Sequence, residues 1–410
     1  MTSLPRLLFR KIVPRALRVR VQELLVATCV PKAHLGQHWP TTRRVTVAGL
    51  LRSSTGLGHG ARQCALHLAA LGYEVGTVDL TETWGARLDL PPMAPGGGGI
   101  IEGDAGGPLI VHLNPPDYQT VLLRLRGQSR RRPLIGYWNW ELAEIPARWR
   151  PAFGYVHQIW APSRFTAEAL QNETQRIPLH IVPHLVSAPG TGDLPDWARM
   201  PEGVLVVLAV FSYDSGFERK NPLGAVAAFR AAFGDRSDVR LVIKAGGHDP
   251  APGERERLEA AIAEAGNITL FHGALPPGSY GALLRRADIF LSLHRAEGFG
   301  IPLVEAMLLG KPVVATAWSS NLDFMTEAIG CLVPYDLIPV RDQRDAYAGA
   351  TSQWADARIE AAASWLRRLE DPVLRHAIGD ASQRHVSEVY SLEAYGRAAA
   401  AALADLGCAR

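Results

Sequence analysis

The chain has 410 residues, enough for two domains or three small ones, each able to bury a core. It is 47% hydrophobic and 20% charged with a net charge of +3, an ordinary globular balance that carries no field for nucleic acid. Cys29, Cys64, Cys331 and Cys408 stand far apart without metal-ligand spacing, so no metal site is expected and a reducing compartment is the simplest reading.

Residues 1–43 read as a basic arm. Arg6, Arg10, Lys11, Arg15, Arg18, Arg20 and Lys32 face a single acid, Glu23, with leucines, valines and Phe9 interleaved. Such a segment suits peripheral contact of residues 1–40 with an anionic lipid surface; the plainer reading is an arm packed on the body. No apolar run approaches the roughly 18 residues of a membrane span. The run near Glu23–Val30 is short and interrupted, which disfavours a signal peptide. The expected location is cytoplasmic, with the inner face of the membrane as a peripheral site.

From residue 44 apolar runs alternate with helical patterns. Strands are predicted over Arg44–Ala48, Glu74–Val78, Leu109–Asn114, Leu134–Trp138, Gln158–Trp160 and His180–Val182, with a helix near Ala61–Leu71. Ala94–Pro108 is glycine-rich and reads as a flexible loop. Ser187–Pro201 has no periodicity and reads as a linker. A second series follows over Val204–Phe211, Arg240–Lys244, Ile268–Phe271, Ile289–Leu293, Val313–Thr316 and Cys331–Val333, and the tail beyond Arg344 reads as helical throughout. The expectation is α/β architecture in two doubly wound parallel-sheet domains, 44–190 and 203–385, facing a central cleft, with a carboxyl-terminal helix over 386–410 that crosses back.

Three segments carry chemistry. In Glu297-Gly-Phe-Gly-Ile-Pro-Leu-Val-Glu305, a glycine-rich turn follows a strand and Pro302 opens a helix. An ionised carboxylate accepts two hydrogen bonds, so this pair suits a nucleotide-sugar, one acid toward the sugar and the other toward a ribose diol. The bland alternative is a capped helix with two solvated acids. Arg219 and Lys220 follow a buried strand and precede a helix, where fixed cations could hold a diphosphate. Gly49–Arg62 reads as a glycine-rich loop whose backbone could approach phosphate or sugar. Gly56-x-Gly58-x-x-Ala61 with Asp79 also fits a dinucleotide fingerprint, although the turn sits far from its strand. Further candidates are His112 and Asn114 at a strand end, where either could meet a sugar hydroxyl, and the aromatic run around Trp140 and Glu141, where Glu141 could orient an acceptor hydroxyl.

These residues resemble the retaining glycosyltransferases of family 4, which have the GT-B fold, over roughly residues 44–400. His294-Arg-Ala-Glu297-Gly-Phe-Gly-Ile-Pro-Leu-Val-Glu305 is similar to the family's signature, Arg219-Lys220-Asn-Pro222 to its diphosphate-binding pair, and Gly58 and Gly60 to its amino-terminal glycine loop near the β-phosphate. Trp138-Asn-Trp140-Glu141 and Ile159-Trp-Ala-Pro-Ser163-Arg-Phe resemble a bacterial branch working on cell-surface glycans. The resemblance implies that Glu305 holds the ribose, Glu297 the donor-sugar side, and the Phe299, Gly300 and Ile301 turn donor hydroxyls or phosphate. It implies that Phe271–Leu275, with His272 and Leu275, borders the base, and that no metal or other cofactor is needed. The family's His-x-His-x-Pro is replaced by His112-Leu-Asn114-Pro, which leaves open whether His112 or Asn114 takes the donor-facing role. The implied activity moves a hexosyl group, mannosyl or glucosyl, from a nucleotide diphosphate sugar to a glycan or lipid-linked glycan. A non-catalytic nucleotide-sugar-binding protein and a nicotinamide-dependent dehydrogenase are the alternatives.

Overall fold

The computed structural model describes residues 21, 24–35, 37, 39–93, 99–115, 117–129, 132–174, 176–247, 250–276, 278–344, 346–347 and 352–406. Most of the basic arm, including Arg6, Arg10, Lys11, Arg15, Arg18, Arg20 and Glu23, lies outside these residues, as does Cys408. Among the described residues no helix is long and apolar enough to cross a membrane.

The first lobe contains β1 (Arg44–Gly49), α1 (Gly56–Ala70), β2 (Glu74–Asp79), β3 (Ile100–Glu102), β4 (Leu109–His112), α2 (Asp117–Arg124), β5 (Leu134–Tyr137), β6 (Gln158–Ala161), α3 (Arg164–Gln171) and β7 (Leu179–Ile181). Its seven strands pair in parallel in the order β3-β2-β1-β4-β5-β6-β7. Both faces are covered, which is why β1, β4, β5 and β6 read as continuous apolar runs rather than alternations.

The second lobe runs β8 (Leu205–Ser212), α4 (Phe217–Lys220), α5 (Pro222–Phe233), β9 (Val239–Gly246), α6 (Glu254–Ile262), β10 (Ile268–His272), α7 (Ser279–Arg286), β11 (Ile289–Ser292), α8 (Ile301–Leu308), β12 (Val313–Thr316) and β13 (Cys331–Val333). Its six strands are parallel in the order β10-β9-β8-β11-β12-β13. An antiparallel hairpin, β14 (Tyr335–Pro339) and β15 (Gln353–Ala357), and the helices α9 (Ile359–Arg368), α10 (Pro372–Val389) and α11 (Leu392–Asp405) complete the chain.

Strand order reverses between β1 and β4 in one sheet and between β8 and β11 in the other. Ligands of such sheets bind at the carboxyl ends of the strands beside that reversal. The Gly49 turn and His112 occupy one switch point; Arg219, Lys220 and the Glu297 turn occupy the other.

Helix starts follow local chemistry. Thr55 caps α1 by accepting from Gly58 N at 3.3 Å, and Ser163 caps α3 by accepting from Thr166 N at 3.2 Å. Asn221 caps α5 through Gly224 N at 3.1 Å from a left-handed φ of 50°. Its amide also donates to Leu293 O at 2.9 Å, which ties α4 to the end of β11. Trp138 and Trp149 are fully buried with Phe153 beside them, the core role expected of such rings; complete burial of a large apolar side chain stabilises by about 1.5–3 kcal/mol.

α11 returns to the first lobe. Gln158 Nε2 donates to Ala402 O at 2.7 Å, His180 meets Asp405 at 3.0 Å, and the Tyr395 hydroxyl donates to Cys64 Sγ at 3.6 Å.

Three expectations are corrected. Ala94–Pro108 is not all loop, because β3 pairs with β2 along one edge. Behind it, Arg132 donates to Gly107 O at 2.6 Å, Gly106 O at 2.7 Å and Asp104 at 2.7 Å, pinning the glycines. The tail beyond Arg344 is not helical throughout: β15 interrupts it, and Trp354 there is fully buried. Finally, Gly56, Gly58 and Gly60 lie in the first turns of α1 rather than in a loop. A β-carbon on Gly58 would come within 2.5 Å of Leu50 O and Ser53 O, so this glycine serves a close backbone crossing.

Candidate active site

The strongest grouping lies at the end of β8 and β11. Arg219 and Lys220 sit in the last turn of α4, where its carbonyl end favours cations, and not at the start of α5. The Arg219 guanidinium is buried. Its Nε donates to Ser215 O at 3.0 Å, and one terminal nitrogen donates to Ala296 O at 2.8 Å and Glu297 Oε2 at 3.2 Å. Lys220 Nζ donates to Glu297 Oε1. Glu141, reaching from the first lobe, stands 4.0 Å from the other terminal nitrogen of Arg219.

Electrostatics follow from this packing. Burial works against the charge on Glu297, but Lys220 and Arg219 outweigh it and bring the carboxyl down to about 2. Burial lowers Lys220, against the pull of Glu297. Burial also raises Glu141, with Arg219 opposing. Burial works against the charge on Arg219, but the carboxylates of Glu297 and Glu141 beside it keep it protonated.

The Glu297 turn is braced from several sides. Its backbone N–H donates to Ser319 Oγ at 2.9 Å, and Ser319 holds a left-handed φ of 72° to do so. Such a backbone costs on the order of 1–3 kcal/mol and persists only where the surroundings fix it. Arg295 donates to Glu218 O at 2.6 Å and to Asp356 at 2.9 Å, tying α4 to the hairpin. From the first lobe, Ser163 Oγ donates to Gly298 O at 2.7 Å, and Thr166 Oγ1 donates to Trp140 O at 2.9 Å and Gly298 O at 3.3 Å. Arg164 N donates to Asp323 at 2.7 Å.

Phe299 is buried with its ring edge-on to His184 at 5.1 Å. His184 lies against Gly60, where a β-carbon would fall 2.7 Å from Cε1. A column of Gly60, His184 and Phe299 thus joins the start of α1 to the Glu297 turn. Gly300 has a φ of 93°, and α8 has no side-chain cap; Pro302 has no N–H and Leu303 N donates to Gly300 O at 3.0 Å, so the Ile301 amide is the donor this first turn can offer an anion.

Glu305 stands one helical span further on α8, buried, with Tyr280 Oη donating to its Oε2 at 2.8 Å. Burial raises Glu305 to about 7, against this hydrogen bond. His272 stacks on Tyr213 at 6.0 Å and faces Glu259 at 3.4 Å. Leu275 and Trp197 pack against the core nearby, and Trp197 stacks on Phe271 at 4.6 Å, so the linker is docked rather than free.

The first-lobe candidates divide. Asn114 is committed to backbone: its Nδ2 donates to Asn139 O at 2.7 Å and its Oδ1 accepts from Asn139 N at 2.8 Å. His112 is fully buried 4.2 Å from the Tyr137 ring, and neither of its nitrogens meets a protein partner among the described residues. Trp140 is buried against Trp149 and Tyr347, with Nε1 donating to Glu144 O at 2.8 Å. Asp79 accepts from Leu51 N at 3.1 Å and Thr81 N at 3.0 Å, so it holds the β1 turn. That commitment ties one carboxylate oxygen of Asp79 to the β1 turn rather than to a ribose.

Ser319, Tyr280 and Tyr347 escaped the sequence reading. Only Ser319 has a local signal, its place three residues after the end of β12 in a serine pair; the tyrosines reach the site by tertiary packing. Among the described residues no cluster of His, Cys, Asp and Glu could hold a metal ion.

Residues 208–336 match the family model described as Glycosyl transferases group 1. No curated protein matches the chain. Among solved structures, Anabaena HepE in complex with UDP and glucose is similar at a TM-score of 0.60 and 13% identity, covering 89% of this chain and 100% of that one. A glycosyltransferase from Rickettsia africae ESF-5 is similar at 0.59 and 15%, covering 88% and 97%. A mutant of S. aureus TarM in complex with fondaparinux, alpha-GlcNAc-glycerol and UDP is similar at 0.53 and 12%, covering 72% of this chain; the chain spans about half of TarM's length, 55%. At these identities the structural likeness establishes the fold, GT-B, with two parallel α/β sheets. Residues 208–336 thus match a group 1 glycosyl transferase domain, set on a GT-B frame.

Proposed function

We propose that the chain transfers a hexosyl group, with retained configuration, from a nucleotide diphosphate sugar to a hydroxyl of a glycan or lipid-linked glycan. The observation that carries this reading is the convergence of Arg219, Lys220 and Glu297 at the second sheet's switch point, beneath Glu141 of the first lobe. Two buried cations with one shared carboxylate form a seat for a second anion.

In the proposed reaction the bond from the anomeric carbon to the β-phosphate oxygen breaks as charge builds on that oxygen. Arg219, Lys220 and the Ile301 amide at the start of α8 stabilise the charge. The acceptor oxygen bonds to the anomeric carbon from the same face, and its proton passes to the leaving phosphate oxygen. Glu297 then turns to the sugar hydroxyls, and Glu305 accepts from the ribose. His112 and Asn114 act behind the cleft, Asn114 by fixing Asn139 beside Trp140 and Glu141. Glu141 and Trp140 border the acceptor. No metal or cofactor enters the scheme.

HepE and TarM were solved with UDP, which makes uridine diphosphate sugars the first donors to test. Leu24 and Leu25 are exposed beside the basic arm, which supports contact of residues 1–40 with an anionic membrane face and a lipid-linked acceptor there. The test is release of nucleoside diphosphate from UDP-glucose and GDP-mannose by the chain and by Glu305→Ala and Lys220→Ala. Loss of donor affinity in the first and of turnover in the second is expected. Wild-type turnover and affinity in both would refute the assignment.

A further inference from the structure

Among the described residues no cation stands beside the buried carboxylate of Glu305. Among the described residues, Tyr280 on α7 is the one titratable side chain whose contact shifts it, and Oε1 carries no protein hydrogen bond. A buried carboxylate left without partners is costly, so a half-satisfied one at the edge of a cleft calls for a ligand donor. A tyrosine hydroxyl that donates keeps its lone pairs for a second donor. Resting on the donor-site reading above, we propose that Tyr280 is a further ribose-binding residue: its hydroxyl donates to Glu305 Oε2 and accepts from one ribose hydroxyl, while Glu305 Oε1 accepts from the other.

The placement of Tyr280 is rigid. It lies in the first turn of α7, and Arg285 on the same helix donates to Pro189 O at 2.7 Å and Gly190 O at 3.0 Å of the linker. A β-carbon on the neighbouring Gly281 would strike Gly190 O, so the linker and α7 meet without slack. Leu275, Trp197 and Tyr280 all pack against the same buried cluster. The diol is thereby read by two groups, one charged and one neutral, whose hydrogen bonds polarise one another.

The test is calorimetric titration of the full chain with UDP and GDP, and with their 2′-deoxy and 3′-deoxy forms, for wild type, Tyr280→Phe and Glu305→Gln. Tyr280→Phe should weaken nucleotide binding about tenfold, raise the donor KM and leave kcat nearly unchanged. The penalty for deleting one ribose hydroxyl should shrink in this variant. Because Tyr280 favours the ionised Glu305, the ribose-dependent part of binding, taken as UDP against its deoxy form so that phosphate titration cancels, should reach full strength only at higher pH in Tyr280→Phe. Tyr280→Phe with wild-type affinity and an unchanged deoxy penalty, alongside a weakened Glu305→Gln, would overturn this proposal and leave the donor site standing. Wild type that binds neither nucleotide would overturn both.

Discussion

Glu297→Gln is the sharpest probe of the site because it removes one charge and almost no volume. In the resting structure Glu297 accepts from both Lys220 and Arg219. With glutamine there, buried Arg219 and mostly buried Lys220 keep, among the described residues, only Glu141, at 4.0 Å from Arg219, as a nearby acid. Breaking one side of a buried ion pair costs about 3–5 kcal/mol. For a lobe of this size about 2–4 °C of melting temperature follows each kcal/mol, so a drop of roughly 6–20 °C is expected. UDP carries no sugar for Glu297 to meet, but its pyrophosphate returns negative charge to the cations. The UDP-induced rise in melting temperature should therefore be larger in Glu297→Gln than in wild type, even as sugar transfer falls. A melting temperature equal to wild type, or a UDP shift smaller than wild type's, would refute the reasoning that these cations are a diphosphate seat.

The other predictions concern single terms. Lys220→Ala should lower turnover about a hundredfold to a thousandfold with a smaller change in donor KM, read by steady-state kinetics. Acid unfolding should report Glu297: its folded pKa of about 2 lies below its ordinary 4.5, so its contribution is complete above about pH 4.5 and is lost as pH falls toward 2, seen as denaturant stability against pH. Gly60→Ala should destabilise by about 1–3 kcal/mol through collision with His184 and weaken UDP binding as well, since the same column supports Phe299. Asn114→Ala should cost about 1–3 kcal/mol, measured by urea unfolding, because Asn139 loses both backbone partners.

Much of the frame was legible because parallel strands buried on both faces leave unbroken apolar runs. The expected strands at Val313–Thr316 and Cys331–Val333 match to the residue, and others end within two. β3 was hidden by the glycines around it, and β15 by its polar, alternating Gln353-Trp-Ala-Asp sequence inside a tail of helical composition. The Gly56–Gly60 run misled because glycine signals a loop, whereas here Gly58 and Gly60 make room for a crossing backbone and for His184 within a helix. At the site, Arg219, Lys220 and Glu297 were legible as charges in tight turns flanked by buried strands. That the carboxylate would lie between both cations was not, because the pairing joins residues 77 or 78 positions apart through the fold of β8 against β11. Tyr280 was invisible for the same reason: its partner is 25 residues away on another helix.

The carbonyl of Gly298, held by the hydroxyls of Ser163 and Thr166 from the opposite lobe, has a mechanical consequence. Spreading the two halves apart has to unfasten that oxygen, so on the proposed reading the Glu297 turn is released in the same movement. If the chain works as proposed, an opened molecule is also one with a slackened grip, and departure of the spent nucleotide needs no separate trigger.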